Sequence, residues 1–336
     1  MSVLSARDPD RAPVRARMEL TGVQPYGREV AEFRTATAAE TQAWQDDWNA
    51  RLRTWYTSPD VPAPWVAEQV AARIRMQPGD GKGGVFAADS GREVIAVVAI
   101  AVFDEAWATG AMITDLFVPG PRRRQGHGRH ALRLAEDWAR RQGAKTLWLL
   151  TDPAQPAHAA LFAGFPIRSL QMIKQLSAPL ELAAGLAGRP MSDAEFAGWR
   201  AKTVEGYAAD MANSGSMSAG AAAKASADQF NQLLPDGLGT PGHSFLCLEA
   251  AGEVVATNWI CHQRMPGMSW VFGVEVSEGH RGRGYGRAAM IIGEQVSLEA
   301  GDTHLALNVF GQNTVAISMY ESMGYRTYDQ GRSAEL

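Results

Sequence analysis

Residues 277–290 decide how the rest of the chain is interpreted, and they read Ser277-Glu278-Gly279-His280-Arg281-Gly282-Arg283-Gly284-Tyr285-Gly286-Arg287-Ala288-Ala289-Met290. The apolar residues 270–276 before this stretch predict a buried strand, and the apolar periodicity of residues 288–298 predicts a helix after it. A glycine-rich turn between a strand and a helix is typical of sites that hold phosphate groups, because free N–H groups and the helix dipole favour an anion. Arg281, Arg283 and Arg287 would add cationic donors.

The spacing of the glycines narrows the choice of ligand. No Gly-Lys-Ser/Thr follows, so the turn is not a P-loop, and glycines at 282, 284 and 286 do not fit the dinucleotide fingerprint. A second pattern follows Gly301 and the predicted strand at residues 303–310. It consists of Asn313, Ala316, Tyr320 and the pair Gly324-Tyr325.

These two patterns resemble the motifs of the GNAT N-acetyltransferase superfamily. Arg281, Gly284 and Gly286 match its acyl-CoA loop, Arg/Gln-x-x-Gly-x-Gly/Ala, and the Asn, Ala, Tyr and Gly-aromatic series matches its next motif. The resemblance is specific over residues 270–325. It implies an acyl-CoA-dependent N-acyltransferase, with acetyl-CoA as the expected acyl donor and no metal.

The same loop occurs earlier in the chain. Arg123, Gly126 and Gly128 match Arg281, Gly284 and Gly286 at a constant offset of 158 residues, which is 281 minus 123. A predicted helix at residues 131–142 and a predicted strand at 146–150 follow in the same order as in the second copy. We therefore expect a mixed α/β (α+β) fold class with two tandem GNAT folds, each a twisted and mostly antiparallel sheet flanked by helices.

The first copy loses its second motif. When the sequences are aligned on the closing pair Gly164-Phe165, the position of Tyr320 is taken by Ala160 and that of Asn313 by Pro153. A slip of the alignment would offer Phe162 instead, which has no hydroxyl group. We expect the first domain to be non-catalytic, and whether it binds CoA stays open.

Length and composition fit two soluble domains. The chain has 336 residues, of which 46% are hydrophobic and 20% charged, and a net charge of −4. This charge gives no reason to expect a nucleic-acid partner. The two cysteines indicate neither a disulfide scaffold nor a metal site. No apolar run is long enough for a membrane span or forms a signal peptide, so the expected location is the cytoplasm.

Local signals divide the chain as follows. We expect a disordered tail at 1–17, a first GNAT domain at 18–176, a linker at 177–188 and a second GNAT domain at 189–336. Capping boxes at Thr37/Glu40 and Ser192/Glu195 predict the first helix of each domain. A stripe of Trp44, Trp48 and Trp55 is interpreted as core. Only eleven residues follow Tyr325, so the final hairpin of the fold is cut short, and packing between the domains would complete that edge.

The resemblance assigns roles to individual residues of the second domain. The backbone of Val274 and Val276 would bind the pantetheine arm and the acyl carbonyl group, Asn313 would also bind that arm, and Tyr320 would protonate the departing thiolate. For the base, Glu275 is slightly preferred over His262 and Glu278, and a water chain would also serve. The predicted cofactor-binding residues are Val274, Val276, Arg281, Gly282, Arg283, Gly284, Tyr285, Gly286, Arg287 and Asn313, with Arg123, Gly126 and Gly128 in the first copy.

The expected acceptor is an amine of a small molecule, which attacks the acyl carbonyl carbon directly. The tandem arrangement with an active second half resembles that of mycothiol synthase, and antibiotic-modifying and natural-product acyltransferases share it. Two alternatives stay open: an acyl donor carried by a carrier protein or a tRNA, and a regulatory protein that binds acyl-CoA without turnover. The sequence leaves the oligomeric state undetermined.

Overall fold

The structure is a computed structural model that describes residues 32–58, 61–76, 82–90, 93–105, 108–213 and 218–336. The tail predicted at residues 1–17 lies outside the described residues.

The helices and strands repeat in the same order in the two halves. The first half contains β1 (Glu32–Thr35), α1 (Ala38–Tyr56), α2 (Ala63–Arg75), β2 (Gly83–Ser90), β3 (Glu93–Glu105), β4 (Ala108–Phe117), α3 (His127–Arg141), β5 (Thr146–Thr151), α4 (Pro156–Leu161) and β6 (Ile167–Gln175). The second half contains β7 (Leu186–Pro190), α5 (Asp193–Asn213), α6 (Ala219–Leu233), β8 (His243–Ala250), β9 (Glu253–Met265), β10 (Met268–Val276), α7 (Tyr285–Glu299), β11 (His304–Phe310), α8 (Thr314–Ser322) and β12 (Arg326–Glu335). The tandem repeat predicted from the two loops is therefore confirmed.

All of these strands join in one continuous sheet. Its order is β1-β2-β3-β4-β5-β12-β6-β11-β10-β9-β8-β7. Two neighbouring pairs, β4 with β5 and β10 with β11, are parallel, and the other pairs are antiparallel. The predicted fold class, a mixed α/β fold with mostly antiparallel sheet, is confirmed.

The two halves exchange their last strands at the centre of the sheet. Strand β6 of the first half pairs with β11 of the second, from Gln175 opposite His304 to Ser169 opposite Phe310. Strand β12 of the second half pairs with β5 of the first and also with β6. The shortened end of the second half is thus completed by a strand from the first half, as predicted, and the first half is completed in return.

Helices cover both faces of this sheet. Helices α3 and α7 pack on one face, while α1, α2, α5 and α6 pack on the other. Leu170 and Met172 of β6 belong to the core beneath α7, so the first half supplies core side chains to the second half as well as a strand. Trp44 and Trp48 are buried under α1, which confirms that the aromatic stripe is core.

An ion cluster at the start of each half is a second repeat that the sequence reading missed. In each half, an arginine of the edge strand binds the glutamate of the capping box and a carboxylate of the next strand. The members are Arg34, Glu40 and Asp89 in the first half and Arg189, Glu195 and Glu249 in the second, with the N–O distances between 2.6 and 2.7 Å. The capping boxes at Thr37 and Ser192 are both formed.

Some predicted boundaries were wrong. Helix α7 begins at Tyr285, not at 288, because Gly284 at φ +83° is its N-cap; α3 begins at His127, not at 131, because Gly126 at φ +88° has the same role. Strand β7 includes the last three residues of the predicted linker, Leu186 to Gly188. The other domain limits stay a prediction.

Candidate active site

The second half contains an open gap between the ends of two parallel strands. Strands β10 and β11 pair from Met268 opposite His304 only as far as Val271 opposite Leu307. Beyond Val271, β10 continues to Val276 paired with β9 alone, with an irregularity in that pairing between Val271 and Gly273. The two strands therefore separate, and the gap between them has one edge of unpaired backbone groups.

Two of these backbone groups are Val274 N–H and Val276 N–H. Ser277 N donates to Val255 O of β9 at 3.0 Å. Because successive N–H groups of a strand point to opposite sides, the N–H groups of Val274 and Val276 point away from β9 and into the gap. Two parallel donors about two residues apart are suited to hold a carbonyl oxygen or an amide group.

The turn after β10 presents further N–H groups at the same end of the gap. Gly282 and Gly284 have φ values of +77° and +83°, and a Cβ atom at either position would meet nothing within 4 Å, so the turn is open. The first hydrogen bond of α7 runs from Ala288 N to Gly284 O, which leaves the N–H groups of Tyr285, Gly286 and Arg287 without a helical acceptor. An anion such as a pyrophosphate fits this arrangement.

The arginines of the turn have different surroundings. Arg281 donates from Nε to Val276 O at 3.4 Å and so helps to close the turn. Arg287 bonds Ser322 of α8, and Arg283 is exposed. Gly286 lies close to α8 as well, since a Cβ atom there would be 3.3 Å from Met319 Sδ.

Tyr320 lies in α8, beside the gap, and is 8% exposed. Its ring contacts Tyr325, with centroids 5.7 Å apart, and within the described residues its hydroxyl group has no hydrogen-bond partner. Burial raises the pKa of Tyr320 above its ordinary value. The hydroxyl group therefore remains protonated at neutral pH and can donate a proton.

Asn313 is the N-cap of α8. Its Oδ1 accepts from Ala316 N at 3.1 Å, so the side-chain amide of this exposed residue is oriented by the helix and keeps its NH₂ group for another acceptor. This is compatible with the predicted contact to a pantetheine arm, which stays a prediction.

The three candidate bases have different surroundings. Glu275 lies on β10 between Val274 and Val276, whose N–H groups point into the gap. Its Oε1 accepts from Lys202 Nζ at 2.5 Å. Its side chain also lines a pocket of about 260 Å³ between α5 and the ends of β9 and β10, together with Trp199, Thr257 and Ser277. Glu278 is exposed in the turn.

His262 lies near the other end of the β9–β10 strand pair from Glu275. Its ring contacts Ser244 Oγ at 2.7 Å and Ser269 Oγ at 3.0 Å, and Ser269 donates to Asp302 at 2.6 Å. Burial lowers the pKa of His262. The structure therefore places His262 in a hydrogen-bond network that joins β8, β9 and β10, and not beside the gap.

The first half has the same scaffold. Strands β4 and β5 also separate, after Ile113 opposite Leu149, which are the counterparts of Val271 and Leu307 at the offset of 158 residues. Arg123 donates from Nε to Val118 O at 2.9 Å, as Arg281 does to Val276 O. Arg124 adopts φ +62° where the second copy has Gly282, so even this strained position is kept.

The chemistry-bearing residues of the first half differ. The counterpart of Glu275 is Phe117, and Arg51 lies over its ring at 4.5 Å. Asp115 lies nearby, but Arg51 Nη2 binds it at 2.7 Å and Trp44 Nε1 donates to it at 2.8 Å. These groups are therefore engaged with α1.

The structure corrects the alignment of the second motif. A Cβ atom at Gly128 would lie 3.4 Å from Leu161, as one at Gly286 would lie 3.3 Å from Met319, so the offset of 158 extends into α4 and α8. The counterpart of Tyr320 is then Phe162, buried against Phe165 at 6.0 Å, and not Ala160. The counterpart of Asn313 is Gln155, the N-cap of α4, and not Pro153.

The physical reason is a shorter turn. Two residues separate Phe162 from Phe165, whereas four separate Tyr320 from Tyr325, so alignment on the closing Gly-aromatic pair shifted the helix by two positions. The hydroxyl group is absent from the first copy under either alignment.

Sequence reasoning also missed Lys202, which contacts Glu275 from α5. The two residues are 73 positions apart, and no local pattern marks the lysine. Only the packing of α5 on the sheet brings them together.

The chain matches the Acetyltransferase (GNAT) family over residues 40–165 and again over residues 216–325. Because these segments include most of the chain and fall one in each half, the protein belongs to the GNAT family as a tandem member. It is an N-acetyltransferase of this family, whose reaction is acyl transfer from acyl-CoA.

Relatives of single-domain length agree with this assignment. The chain is 30% identical over 152 residues to the uncharacterized N-acetyltransferase YycN of Bacillus subtilis (strain 168), which covers 44% of this chain and 96% of that protein. It is 27% identical over 140 residues to the uncharacterized N-acetyltransferase YdgE of the same organism, covering 40% of this chain and 88% of YdgE.

Among solved structures, a GCN5-related N-acetyltransferase from Sphaerobacter thermophilus is similar over 91% of this chain and 95% of its own. The TM-score is 0.56 and the identity 16%, so this likeness shows the fold. Across the described ranges, from residue 32 to residue 336 with their gaps, no helix is both long and apolar enough to span a membrane.

Proposed function

We propose that the second half transfers an acetyl or other small acyl group from acyl-CoA to an amine of a small molecule, by direct attack. The observation that carries this proposal is the coincidence of four features at one end of the β10–β11 gap. They are the two N–H groups directed into the gap, the open turn at the N-terminus of α7, the buried Tyr320 and the Glu275 carboxylate on β10.

Each feature has a part in the reaction. The turn from Arg281 to Arg287 would hold the pyrophosphate, and the N–H groups of Val274 and Val276 would hold the pantetheine arm and the acyl carbonyl oxygen. Fixed N–H donors stabilise the negative charge that develops on that oxygen in the transition state. Gly282 and Gly284, where a Cβ atom would meet open space, support a close approach of the ligand to the backbone.

Proton transfers complete the mechanism. Glu275 takes the proton that the attacking amine loses, directly or through a water molecule. Tyr320 protonates the departing thiolate, a role that typically contributes about 10²–10⁴-fold to the rate. The raised pKa of Tyr320 supports this role, because the group must carry its proton when the thiolate leaves.

The first half is proposed to perform no acyl transfer. Phe117 and Phe162 stand where Glu275 and Tyr320 stand in the second half, so this half lacks both the base and the acid. Its turn keeps the backbone geometry of an anion site. Its main contribution to the reaction is structural, through the strand β6 that it supplies to the second half.

The experiment that tests the proposal is an assay of free CoA thiol released from acetyl-CoA in the presence of a panel of primary amines. Release that depends on the amine and follows saturation kinetics is expected for at least one class of amine. If acetyl-CoA binds with a measurable affinity but no amine raises release above hydrolysis, the protein is a regulatory acyl-CoA binder or uses a different acyl donor.

A further inference from the structure

Lys202 and Glu275 form a contact that the proposed reaction does not use. Lys202 Nζ lies 2.5 Å from Glu275 Oε1, and the lysine side chain is 70% exposed. An exposed lysine with four rotatable bonds is free to move away from this partner at little energetic cost. An exposed ion pair of this kind contributes little to the stability of the fold, so its position invites a reason other than stability.

The position of the pair relative to the gap supplies that reason. Glu275 is flanked by Val274 and Val276, whose N–H groups point into the gap. Side chains alternate along a strand, so Val274 and Val276 pack on the α7 core, whereas Glu275 points to the α5 face. An amine bound to the Glu275 carboxylate therefore lies on the α5 face of the sheet, next to the residues proposed to hold the acyl carbonyl group.

Lys202 places a primary amine at this point. It carries the functional group of an acceptor, at hydrogen-bond distance from the proposed base, on the α5 face of β10. We propose that Lys202 is an internal acyl acceptor, so that the protein acylates its own Lys202 Nζ when acyl-CoA is present without another amine. This inference rests on the proposed function of the second half.

The step balances as an ordinary aminolysis. Glu275 removes a proton from the Lys202 ammonium group, and the neutral nitrogen attacks the thioester carbonyl carbon. Glu275 passes this first proton to solvent. A C–N bond forms, the nitrogen loses its second proton to Glu275, the C–S bond breaks, and Tyr320 protonates the thiolate. The proton on Glu275 then restores Tyr320 through water. The products are an amide on Lys202 and one free CoA thiol.

Acylation would change the site. The amide carries no charge, so the ion pair with Glu275 is lost, and the carboxylate is left free at the mouth of the pocket of about 260 Å³ that it lines. Unmodified Lys202 would thus compete with external amines for the Glu275 carboxylate until it is acylated.

The test uses the full-length protein and acetyl-CoA with no added amine, followed by intact and tandem mass spectrometry. One acetyl group per chain is expected, on Lys202, with release of one equivalent of CoA thiol. The first-order rate constant should not depend on protein concentration, as an internal reaction requires. In Lys202→Arg this mark should disappear, and in Tyr320→Phe it should form at least tenfold more slowly.

Lys224 provides the matched control. It is also exposed on a helix, but its Nζ lies 2.5 Å from Asp228 of the same helix, α6, and not from a residue of β10. Equal labelling of Lys202 and Lys224, or a rate that rises with protein concentration, would overturn the proposal because it indicates chemical or intermolecular acetylation. Amine-dependent turnover without any label on Lys202 would overturn it while leaving the proposed function intact. Absence of both label and turnover would mean that the proposed function itself has failed.

Discussion

Lys174 of the first half donates to both carboxylate oxygens of Glu294 in the second half, at 2.7 Å each. Glu294 lies in α7 with its side chain 2% exposed, and Tyr325 donates a further hydrogen bond to it at 3.0 Å. A buried carboxylate in the core of one half is therefore neutralised by a lysine that the other half supplies on β6. The first half therefore supplies the charge that balances Glu294 in the second half, in addition to supplying strand β6.

The first prediction concerns this pair. Lys174→Met should lower the free energy of unfolding by about 3–5 kcal/mol, because it leaves a buried charge without its partner. The double variant Lys174→Met/Glu294→Gln should recover more than half of that loss, since the charge is then removed and the Tyr325 hydroxyl group keeps an acceptor. Urea unfolding measures both.

Lys224→Met is the control for that prediction. Its ion pair with Asp228 is exposed, and its loss should change the free energy of unfolding far less than the loss of the buried pair does. If Lys174→Met is as mild as this control, the pair contributes no more than a surface contact.

The second prediction concerns the strand exchange. Residues 177–336 expressed alone should aggregate, because β11 and β12 then have unpaired edges and the core under α7 lacks Leu170 and Met172. Coexpression of residues 1–176 with residues 177–336 should give a soluble complex that copurifies and releases CoA thiol. A fragment 177–336 that is monomeric, soluble and fully active alone would show that the exchange is dispensable.

The third prediction concerns the proposed acid. Tyr320→Phe keeps the ring and removes only the hydroxyl group, so kcat should fall at least tenfold while the Kd for acetyl-CoA changes little. Since burial raises the pKa of Tyr320, the wild-type rate should show no loss from deprotonation of this group between pH 7 and 9. Equal losses of binding and rate in the variant would indicate a structural hydroxyl group instead.

The fourth prediction compares the two turns. Arg287→Glu should weaken acetyl-CoA binding more than tenfold, which is about 1.4 kcal/mol, and lower the rate. The matched variant Arg129→Glu in the first half should leave kcat nearly unchanged. Arg287 is preferable to Gly286 for this test, because a side chain at Gly286 would also displace Met319. A larger loss of rate from Arg129→Glu than from Arg287→Glu would reverse the assignment of the halves.

The fifth prediction concerns pH and stability. Asp329 of β12 is buried beside Tyr56, whose hydroxyl group donates to it at 3.0 Å, and burial raises its pKa from 3.8 to about 7. Between pH 4 and 7 the folded protein therefore holds a proton that the unfolded chain releases, so this group makes stability fall as pH rises through that window. The total effect is about 4 kcal/mol at about 1.4 kcal/mol per pKa unit.

The variant Asp329→Asn tests that sign. It should remove most of the decline between pH 4 and 7 and should be more stable than the wild type at pH 8. The free energy of unfolding, measured at pH 4, 6 and 8, decides the matter. A variant with the same slope as the wild type would mean that Asp329 is ionised in the folded protein throughout.

The sequence predicted the turn and the repeat because both depend on local backbone requirements. Glycines at 126, 282 and 284 mark positions of positive φ, and a requirement of this kind is visible in the residue type at that position. The capping boxes at Thr37 and Ser192 are local in the same sense. The start of α7 was missed by three residues, since glycines near a helix start resemble loop.

The strand exchange and the Lys202–Glu275 contact could not be predicted in this way. Strand β6 alternates Leu170 and Met172 toward the core, and that pattern is the same whether its neighbour is β5 or β11. Lys202 looks like any exposed helical lysine. The counterpart of Tyr320 was misplaced because a turn had changed length, which only the contacts of Gly128 and Gly286 reveal.

The order of strands in the sheet means that the central strands of the first half are synthesised well before their partner from the second half. Strand β12 is the last described strand of the chain, yet it fills the space between β5 and β6 of the first half. At about 5–20 residues per second, the roughly 160 residues after β6 take on the order of 10–30 s to synthesise, and for that time both strand edges stay open on the ribosome. Chaperones that shield nascent strands, and the speed of translation, should therefore affect the yield of this protein in a cell.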